Sequence, residues 1–289
     1  MDPTDDGIVR VQDPSTTTRI GLPGLLALVF ALSWLGAAPM VLASWLDADS
    51  PAALRSLAAT LAPLQLLMFF GALLGVLVAV AVNEGRRGLV AWLRSVLRPR
   101  AGVRWILAVL AGPALVMVFA GFAGRWLDPA LPPFTPGGAA LLGVLQVFVA
   151  YLLLNTEEFA WRGYVLPRLQ ARLAPLQANL LLALVWGVFH GPYFLMKGGH
   201  PGGYGVLEFA VMVVAICLVM GVVFNATRGS VLACHLLHQS LNAWSEGLRL
   251  FPVMNGGSPW PFRVSVVLMA CAGGVAAWWL WRQGRPRPA

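Results

Sequence analysis

The feature that most constrains this chain is a series of long apolar runs separated by short polar breaks. A helix that crosses a bilayer needs about 20 mostly apolar residues, and eight runs come near that length. They cover roughly residues 22–46, 62–82, 104–124, 138–157, 178–196, 206–225, 230–247 and 264–282. Only 11% of the residues are charged, whereas about 25% is usual in soluble domains. We therefore expect an all-α, polytopic transmembrane helical bundle of about eight spans.

The cations of the sequence are distributed unevenly among the breaks between these runs. If the N-terminus is cytoplasmic and all eight runs span, fifteen of the twenty Lys and Arg residues fall on the inner side. The five on the outer side are Arg55, Arg125, Lys197, Arg249 and Arg263. Because short cytoplasmic loops are enriched in cations, this sorting predicts that both termini are cytoplasmic. The first run follows an acidic head that lacks a basic segment and a cleavage site, so we interpret it as a retained span.

The net charge of +8 does not predict nucleic-acid binding, since the arginines lie between apolar runs where topology signals belong. The cysteines Cys217, Cys234 and Cys271 lie singly within apolar runs and form no CxxC pair. They therefore carry no redox or zinc signature. The stretch from Gly85 to Arg104 interleaves Arg and Trp. It is typical either of an amphipathic interfacial helix or of a plain loop that sets topology.

Ionisable residues at membrane depth are costly and usually have a function or a partner. The first such cluster closes the fourth run and contains Glu157, Glu158 and Arg162. If a helix continues through it, Glu158 and Arg162 are four residues apart and can pair. Glu157 then points elsewhere and is available as a base. The alternative is an interfacial charge cluster that ends the span.

Two further clusters place polar residues one helical turn apart. Trp186 and His190 share a face in the fifth run, and His238 and Asn242 share a face in the seventh, with His235 close to them. Each cluster alone also has an explanation without catalysis. The first is typical of a packing residue in an apolar helix, and the second of polar contacts between membrane helices. Together, Glu157, His190, His238 and Asn242 supply a carboxylate and imidazole to activate water, and N–H donors to stabilise an oxyanion.

The sequence resembles the type II CAAX prenyl endopeptidases and their bacterial relatives, the CPBP intramembrane proteases or Abi family. That family carries EExxxR, FxxxH and HxxxN or HxxxD motifs. Glu157, Glu158 and Arg162 match the first motif. His190 matches the second, with Trp186 where Phe is usual, and His238 and Asn242 match the third. Thr227 to Ser230 also resembles the turn that precedes the last motif, and the resemblance covers roughly residues 138–245.

The resemblance implies an intramembrane endopeptidase. Glu157 and His190 would activate water, His238 and Asn242 would form the oxyanion site, and Glu158, Arg162 and Trp186 would support them. The extra His235 receives no role. The implied domains are a cytoplasmic tail at 1–21, transmembrane helices at 22–137, a catalytic core at 138–247, and a last helix with a basic tail at 248–289.

The expected partners are the lipid bilayer and a peptide or protein substrate at the membrane, prenylated or not. We expect no cofactor, with zinc as the alternative because the family has been described as metalloproteases. The location implied is the bacterial inner membrane. Rival functions are a proton-coupled transporter, for which no sequence repeat is visible, and a non-catalytic scaffold or bacteriocin-immunity factor.

Overall fold

The structure is a computed structural model that describes residues 19–197 and 204–284. Most of the predicted N-terminal tail, most of the glycine-rich turn after Lys197, and the end of the basic C-terminal tail lie outside the described residues. Within the described ranges the chain is helical and contains no strand, which confirms the predicted all-α class.

Twelve helices, α1 to α12, follow one another along the described ranges. Their bounds are α1 Leu22–Ser44, α2 Ala52–Leu61, α3 Leu66–Val96, α4 Val103–Leu127, α5 Gly138–Leu154, α6 Glu157–Gln170, α7 Pro175–Phe189, α8 Gly191–Phe194, α9 Val206–Ala226, α10 Val231–Gly247, α11 Pro252–Asn255 and α12 Trp260–Arg282. A short 3₁₀ turn, Ala62–Gln65, joins α2 to α3. Each of the eight predicted runs contains a helix.

Fewer than eight of these helices are long and apolar enough to cross a membrane by themselves. Five satisfy that test, and a sixth span is formed if α5 and α6 are counted as one bent crossing. The helices that fall short are α7, with 15 residues, and α10, with 17. At 1.5 Å per residue they are about 23 and 26 Å long, below the roughly 30 Å of a bilayer core. By length and composition the described residues thus give five or six spans, and α7 and α10 are the short members of the eight predicted runs.

Contacts between chain segments define two ends of the bundle. At the first end, Asn83 pairs with the backbone of Ile20 through two hydrogen bonds of 2.9 Å, and Arg100 donates to the carbonyl of Arg228 at 3.2 Å. At the opposite end, the indole Nε1 of Trp45 donates to the carbonyl of Leu195 at 2.8 Å. The segments predicted to share one side of the membrane therefore meet one another, and we call the first of these ends the basic end.

The stretch that interleaves Arg and Trp continues α3 beyond a kink at Gly85, whose φ of 64° is in the left-handed region that favours glycine. Trp92 is buried there and donates to the carbonyl of Gly163 at 2.9 Å. Arg87 and Arg94 are exposed on the other face. The segment is therefore an amphipathic helix, and its contact with lipid stays a prediction.

Helix α10 packs against α4 and α5 and also contacts α6 and α9. Helix α9 lies between α7 and α12, and α3 contacts α6. Close approach is possible where a glycine faces a neighbouring helix, because Gly247 of α10 leaves no room for a side chain against Val144 of α5. This packing brings polar residues of α6, α7 and α10 to the same interior region.

Candidate active site

A break between α5 and α6 positions the first carboxylate. The two helices meet at an angle of 43°, and Asn155 and Thr156 between them are buried. Asn155 Oδ1 accepts a hydrogen bond of 3.3 Å from the backbone N–H of Glu157, which opens α6. The hydroxyl of Thr156 donates to the carbonyl of Phe69 on α3 at 2.8 Å. Glu157 is thereby held at a helix N-terminus, where the helix dipole favours a negative charge.

This placement corrects the prediction that Glu157 marks the inner end of the fourth span. The chain continues as a helix to Gln170, and its basic-end contact is Arg168, whose guanidinium lies 3.7 Å from Glu84. When α5 and α6 are counted as one bent crossing, Glu157 lies within the fourth crossing rather than at its end. The sequence misled because two adjacent carboxylates are typical of a membrane edge, whereas here the second one is neutralised inside the protein.

That neutralisation comes from a buried ion pair. Glu158 and Arg162 are both fully buried, and one guanidinium nitrogen lies 2.9 Å from each carboxylate oxygen. Arg162 lies in a π-helical turn, Trp161–Val165, whose residues are all buried. Its other terminal nitrogen donates to Sγ of Cys217 on α9 at 3.2 Å. Arg162 thus belongs to the interior and not to the inner loops, which leaves fourteen predicted inner cations.

The same carboxylate also holds an imidazole. His238 of α10 is buried, and its Nδ1 lies 2.9 Å from Oε1 of Glu158. Since an ionised carboxylate only accepts hydrogen bonds, Nδ1 of His238 is the protonated nitrogen. Glu158 therefore fixes both the orientation and the tautomer of His238.

Trp186 of α7 connects the remaining groups. Its indole Nε1 donates to Oε2 of Glu157 at 2.7 Å, and Trp161 Nε1 donates to the same oxygen at 3.3 Å. The Trp186 ring also makes edge contacts with two imidazoles, at centroid distances of 5.5 Å to His190 and 5.3 Å to His238. The carboxylate and both imidazoles therefore surround one indole, at a common level of the bundle.

His190 and Asn242 complete the predicted set. Nδ1 of His190 lies 2.8 Å from the carbonyl of Trp186, so Nδ1 carries the proton and Nε2 is the unprotonated nitrogen of the neutral ring. Asn242 is half-buried on α10, one turn after His238. The structure brings Glu157, His190 and His238 together around Trp186. Asn242 joins them by its position on α10 and not through a hydrogen bond to any of the three.

Two polar residues of α10 were not assigned a role from the sequence. His235 and Gln239 are buried and bond to backbone carbonyls at the break between α5 and α6. The signal was present in their spacing, since they lie four residues apart in an apolar run and share a face.

Zinc was the predicted alternative to a cofactor-free site. Zinc centres in proteins use three or four His, Cys, Asp or Glu ligands. Across residues 19–197 and 204–284, no three such side chains are grouped closely enough to hold a metal ion. Nδ1 of His238 is also committed to a carboxylate that is itself paired with Arg162. The residues present do not fit a zinc site, so we assign no chemical step to zinc.

Comparison with protein families identifies one matching domain. Residues 136–244, less than half of the chain, match the family described as type II CAAX prenyl endopeptidase Rce1-like. The curated proteins searched contain no match to the chain. The matched range begins just before α5 and ends within α10, and it includes all three clusters of polar residues. The resemblance inferred from the motifs is thus confirmed.

Proposed function

We propose that this chain is an intramembrane endopeptidase that uses a glutamate-activated water. Its match to the Rce1-like family and its apolar helices indicate an integral membrane protein. The observation that carries the proposal is the contact of one indole, that of Trp186, with the Glu157 carboxylate and two imidazoles. A carboxylate beside an imidazole is a recurring device for removing a proton from water. The family match supports the same reaction class.

In the proposed first step, water loses a proton to Glu157 while its oxygen attacks the carbonyl carbon of the scissile peptide bond. Glu157 Oε2 is held by the two indole N–H groups, which leaves the carboxylate correctly oriented without neutralising it. His190 contributes the lone pair of Nε2 as a second acceptor for the water, because its Nδ1–H is held by the Trp186 carbonyl. The result is a tetrahedral intermediate with a negatively charged oxygen.

In the proposed second step, Asn242 and His238 donate to that oxygen. Because Nδ1–H of His238 faces Glu158, Nε2 can donate only when the ring is an imidazolium. The intermediate then collapses, the C–N bond breaks, and the proton taken by Glu157 passes to the leaving amine. Arg162 touches no reacting atom and serves to hold Glu158.

The proposal is tested by reconstituting the purified chain in liposomes with a farnesylated CAAX peptide and with the same peptide unmodified. Mass spectrometry of the products locates the cleaved bond. We expect cleavage by the wild type and a loss of cleavage in Glu157→Gln at equal folded yield. Equal cleavage by folded wild type and Glu157→Gln would reject Glu157 as the base. Failure of the folded wild type on both peptides would favour the non-catalytic scaffold, and proton uptake without cleavage would favour the transporter.

The remaining parts of the proposal have separate tests. The proposal that the reaction needs no cofactor predicts that 1,10-phenanthroline leaves the cleavage rate unchanged, whereas loss of activity restored by added zinc would reject it. The native substrate is sought by comparing peptide termini in membranes that contain wild type or Glu157→Gln. The proposed location is the bacterial inner membrane with both termini in the cytoplasm.

A further inference from the structure

Two side chains of α10 bridge to the backbone at the break that precedes Glu157. The ring Nε2 of His235 lies 3.0 Å from the carbonyl oxygen of Leu152, and Nε2 of Gln239 donates to the carbonyl of Asn155 at 3.3 Å. The two side chains also bond to each other, with Gln239 Nε2 lying 3.1 Å from Nδ1 of His235. Both residues are buried, at 4% and 0% exposure.

These carbonyls need partners because of the break itself. In a continuous α-helix, the carbonyls of Leu152 and Asn155 would accept from backbone N–H groups four residues later. The helix ends at Leu154, so the last carbonyls of α5 lose those partners. An unpaired buried carbonyl costs about 1–3 kcal/mol. His235 and Gln239 replace the missing donors from a different helix.

The hydrogen-bond pattern fixes the state of the imidazole. A carbonyl oxygen can only accept, so Nε2 of His235 carries the proton that bonds to Leu152. The amide of Gln239 has two N–H groups, and both are used, one on Asn155 and one on Nδ1 of His235. Nδ1 must therefore be unprotonated, and His235 is neutral with a defined tautomer. The pair acts as one unit with no spare donor.

This unit is connected to Glu157 through Asn155. The carbonyl of Asn155 is held by Gln239, while its side-chain oxygen accepts from the backbone N–H of Glu157. Thr156 is tied to α3 on the opposite side. These contacts therefore bear on the first residue of α6, which is Glu157 itself.

We propose that His235 and Gln239 are positioning residues that hold the Glu157 carboxylate against the indole of Trp186. The assignment of catalysis to Glu157 rests on the proposed function, whereas the mechanical link does not. Polar residues that merely join membrane helices would contribute stability without affecting the Glu157–Trp186 hydrogen bond. That difference makes the role measurable without a substrate.

The first experiment records the indole N–H resonances of the full chain, labelled with ¹⁵N-tryptophan in detergent. The chain has twelve Trp residues, and Trp186→Phe and Trp92→Phe assign two of the cross-peaks. Loss of a carboxylate acceptor moves an indole proton upfield, and Glu157→Gln calibrates that shift for Trp186. We expect His235→Ala to move the Trp186 peak in the same direction. Trp92 serves as the internal control, because it donates to the carbonyl of Gly163, six residues beyond Glu157 on α6, and therefore reports movement of the helix as a whole.

Three outcomes decide this experiment. A shift of the Trp186 peak alone supports the proposal. An unmoved Trp186 peak in folded protein, or equal movement of the Trp186 and Trp92 peaks, overturns it, since the latter indicates general rearrangement. If His235→Ala does not fold, His235→Gln and Gln239→Met decide in its place. His235→Gln retains a donor for Leu152 and should move the Trp186 peak less than Gln239→Met does.

The second experiment uses cleavage of the farnesylated CAAX peptide. Misplacing a catalytic group by about 1 Å can cost about 100-fold in rate, so we expect His235→Ala to lower kcat by about 10- to 100-fold with KM unchanged. In the Glu157→Gln background the same change should have no further effect. A full additional loss in that background, or a change in KM alone, contradicts positioning of Glu157. If the wild type cleaves nothing, the proposed function fails while the resonance experiment still judges the link.

Discussion

The indole Nε1 of Trp186 lies 2.7 Å from Oε2 of Glu157, although the two residues come from different helices and are 29 positions apart. The family that this sequence resembles usually has phenylalanine at this position, and phenylalanine has no N–H to donate. From the sequence, Trp186 was expected only in a supporting role, whereas the structure shows an aromatic ring that is also a donor to the carboxylate. In this chain the second motif is thus bonded directly to the first.

Replacing Trp186 with Phe should separate the packing of the aromatic ring from its hydrogen bond to Glu157. The ring remains, so the fold should be retained, while the hydrogen bond to a charged acceptor is lost. Such bonds contribute about 1.5–3 kcal/mol, so we expect kcat for peptide cleavage to fall about 10- to 100-fold. Trp92→Phe is the matched control, since it removes an equally buried indole donor whose acceptor is a backbone carbonyl. Equal activity losses in the two variants would contradict a specific role for Trp186.

Glu157→Gln should abolish the base while preserving size. The amide oxygen of Gln can still accept from the two indoles, so we expect little change in melting temperature. Loss of a general base lowers rates by about 10²- to 10⁴-fold, and we expect kcat to fall within that range. The measurement is the initial rate of cleavage in liposomes together with a thermal unfolding curve. A variant that loses folded yield in proportion to activity would indicate a structural role instead.

Arg162→Ala should destabilise the protein rather than remove a chemical step. Removing one partner of a buried ion pair costs about 3–5 kcal/mol, because the other charge stays buried and unpaired. Here the abandoned group is Glu158, which also orients His238. Arg168→Ala is the control on the same helix, since Arg168 reaches solvent and its partner Glu84 is partly exposed. A fully folded, stable and inactive Arg162→Ala protein would argue against the structural role.

The sequence predicted the helical passes and their polar clusters because both follow from local spacing. The fit of Glu158 to Arg162 depends only on a helix that continues for one turn, and the alignment of His238 with Asn242 depends on the same periodicity. The break at Asn155 was harder to predict, since the chain through Leu154 is mostly apolar. Nothing in that stretch indicates that the helix stops two residues before Glu157 and then restarts at a 43° angle.

Contacts between distant segments of the chain could also not be predicted from the sequence. Glu158 was predicted to pair with Arg162, but its second partner, His238, lies 80 residues away. His235 received no role because its acceptor is a backbone carbonyl, which the amino-acid sequence does not distinguish from any other. By length and composition fewer than eight of the described helices qualify as spans, because α10, for example, is short and carries buried polar residues that the protein interior accommodates.

Asn242→Ala should lower turnover without a comparable loss of stability. The side chain is half-buried, and removing one oxyanion donor typically costs about 10²–10³ in kcat. Ser245→Ala is the control one turn further along α10, because its hydroxyl donates to the carbonyl of Leu241 in the same helix. We expect the control to retain the wild-type rate in the liposome assay. An Asn242→Ala protein with wild-type kcat would remove Asn242 from the proposed oxyanion site.

The orientation of the bundle is the remaining prediction, and it rests on charge. The basic end gathers Arg100, Arg168 and Arg228, and positively charged loops favour the cytoplasmic side. A reporter enzyme that works only in the cytoplasm should therefore be active when it is fused after Ala289. A reporter that works only outside the cytoplasm should be inactive at the same position. Single cysteines introduced at Arg228 and at Arg249 should be labelled from opposite sides of sealed vesicles by a membrane-impermeant thiol reagent, in a background without the native cysteines. Labelling of the Arg228 site from the outer side would reverse the predicted orientation.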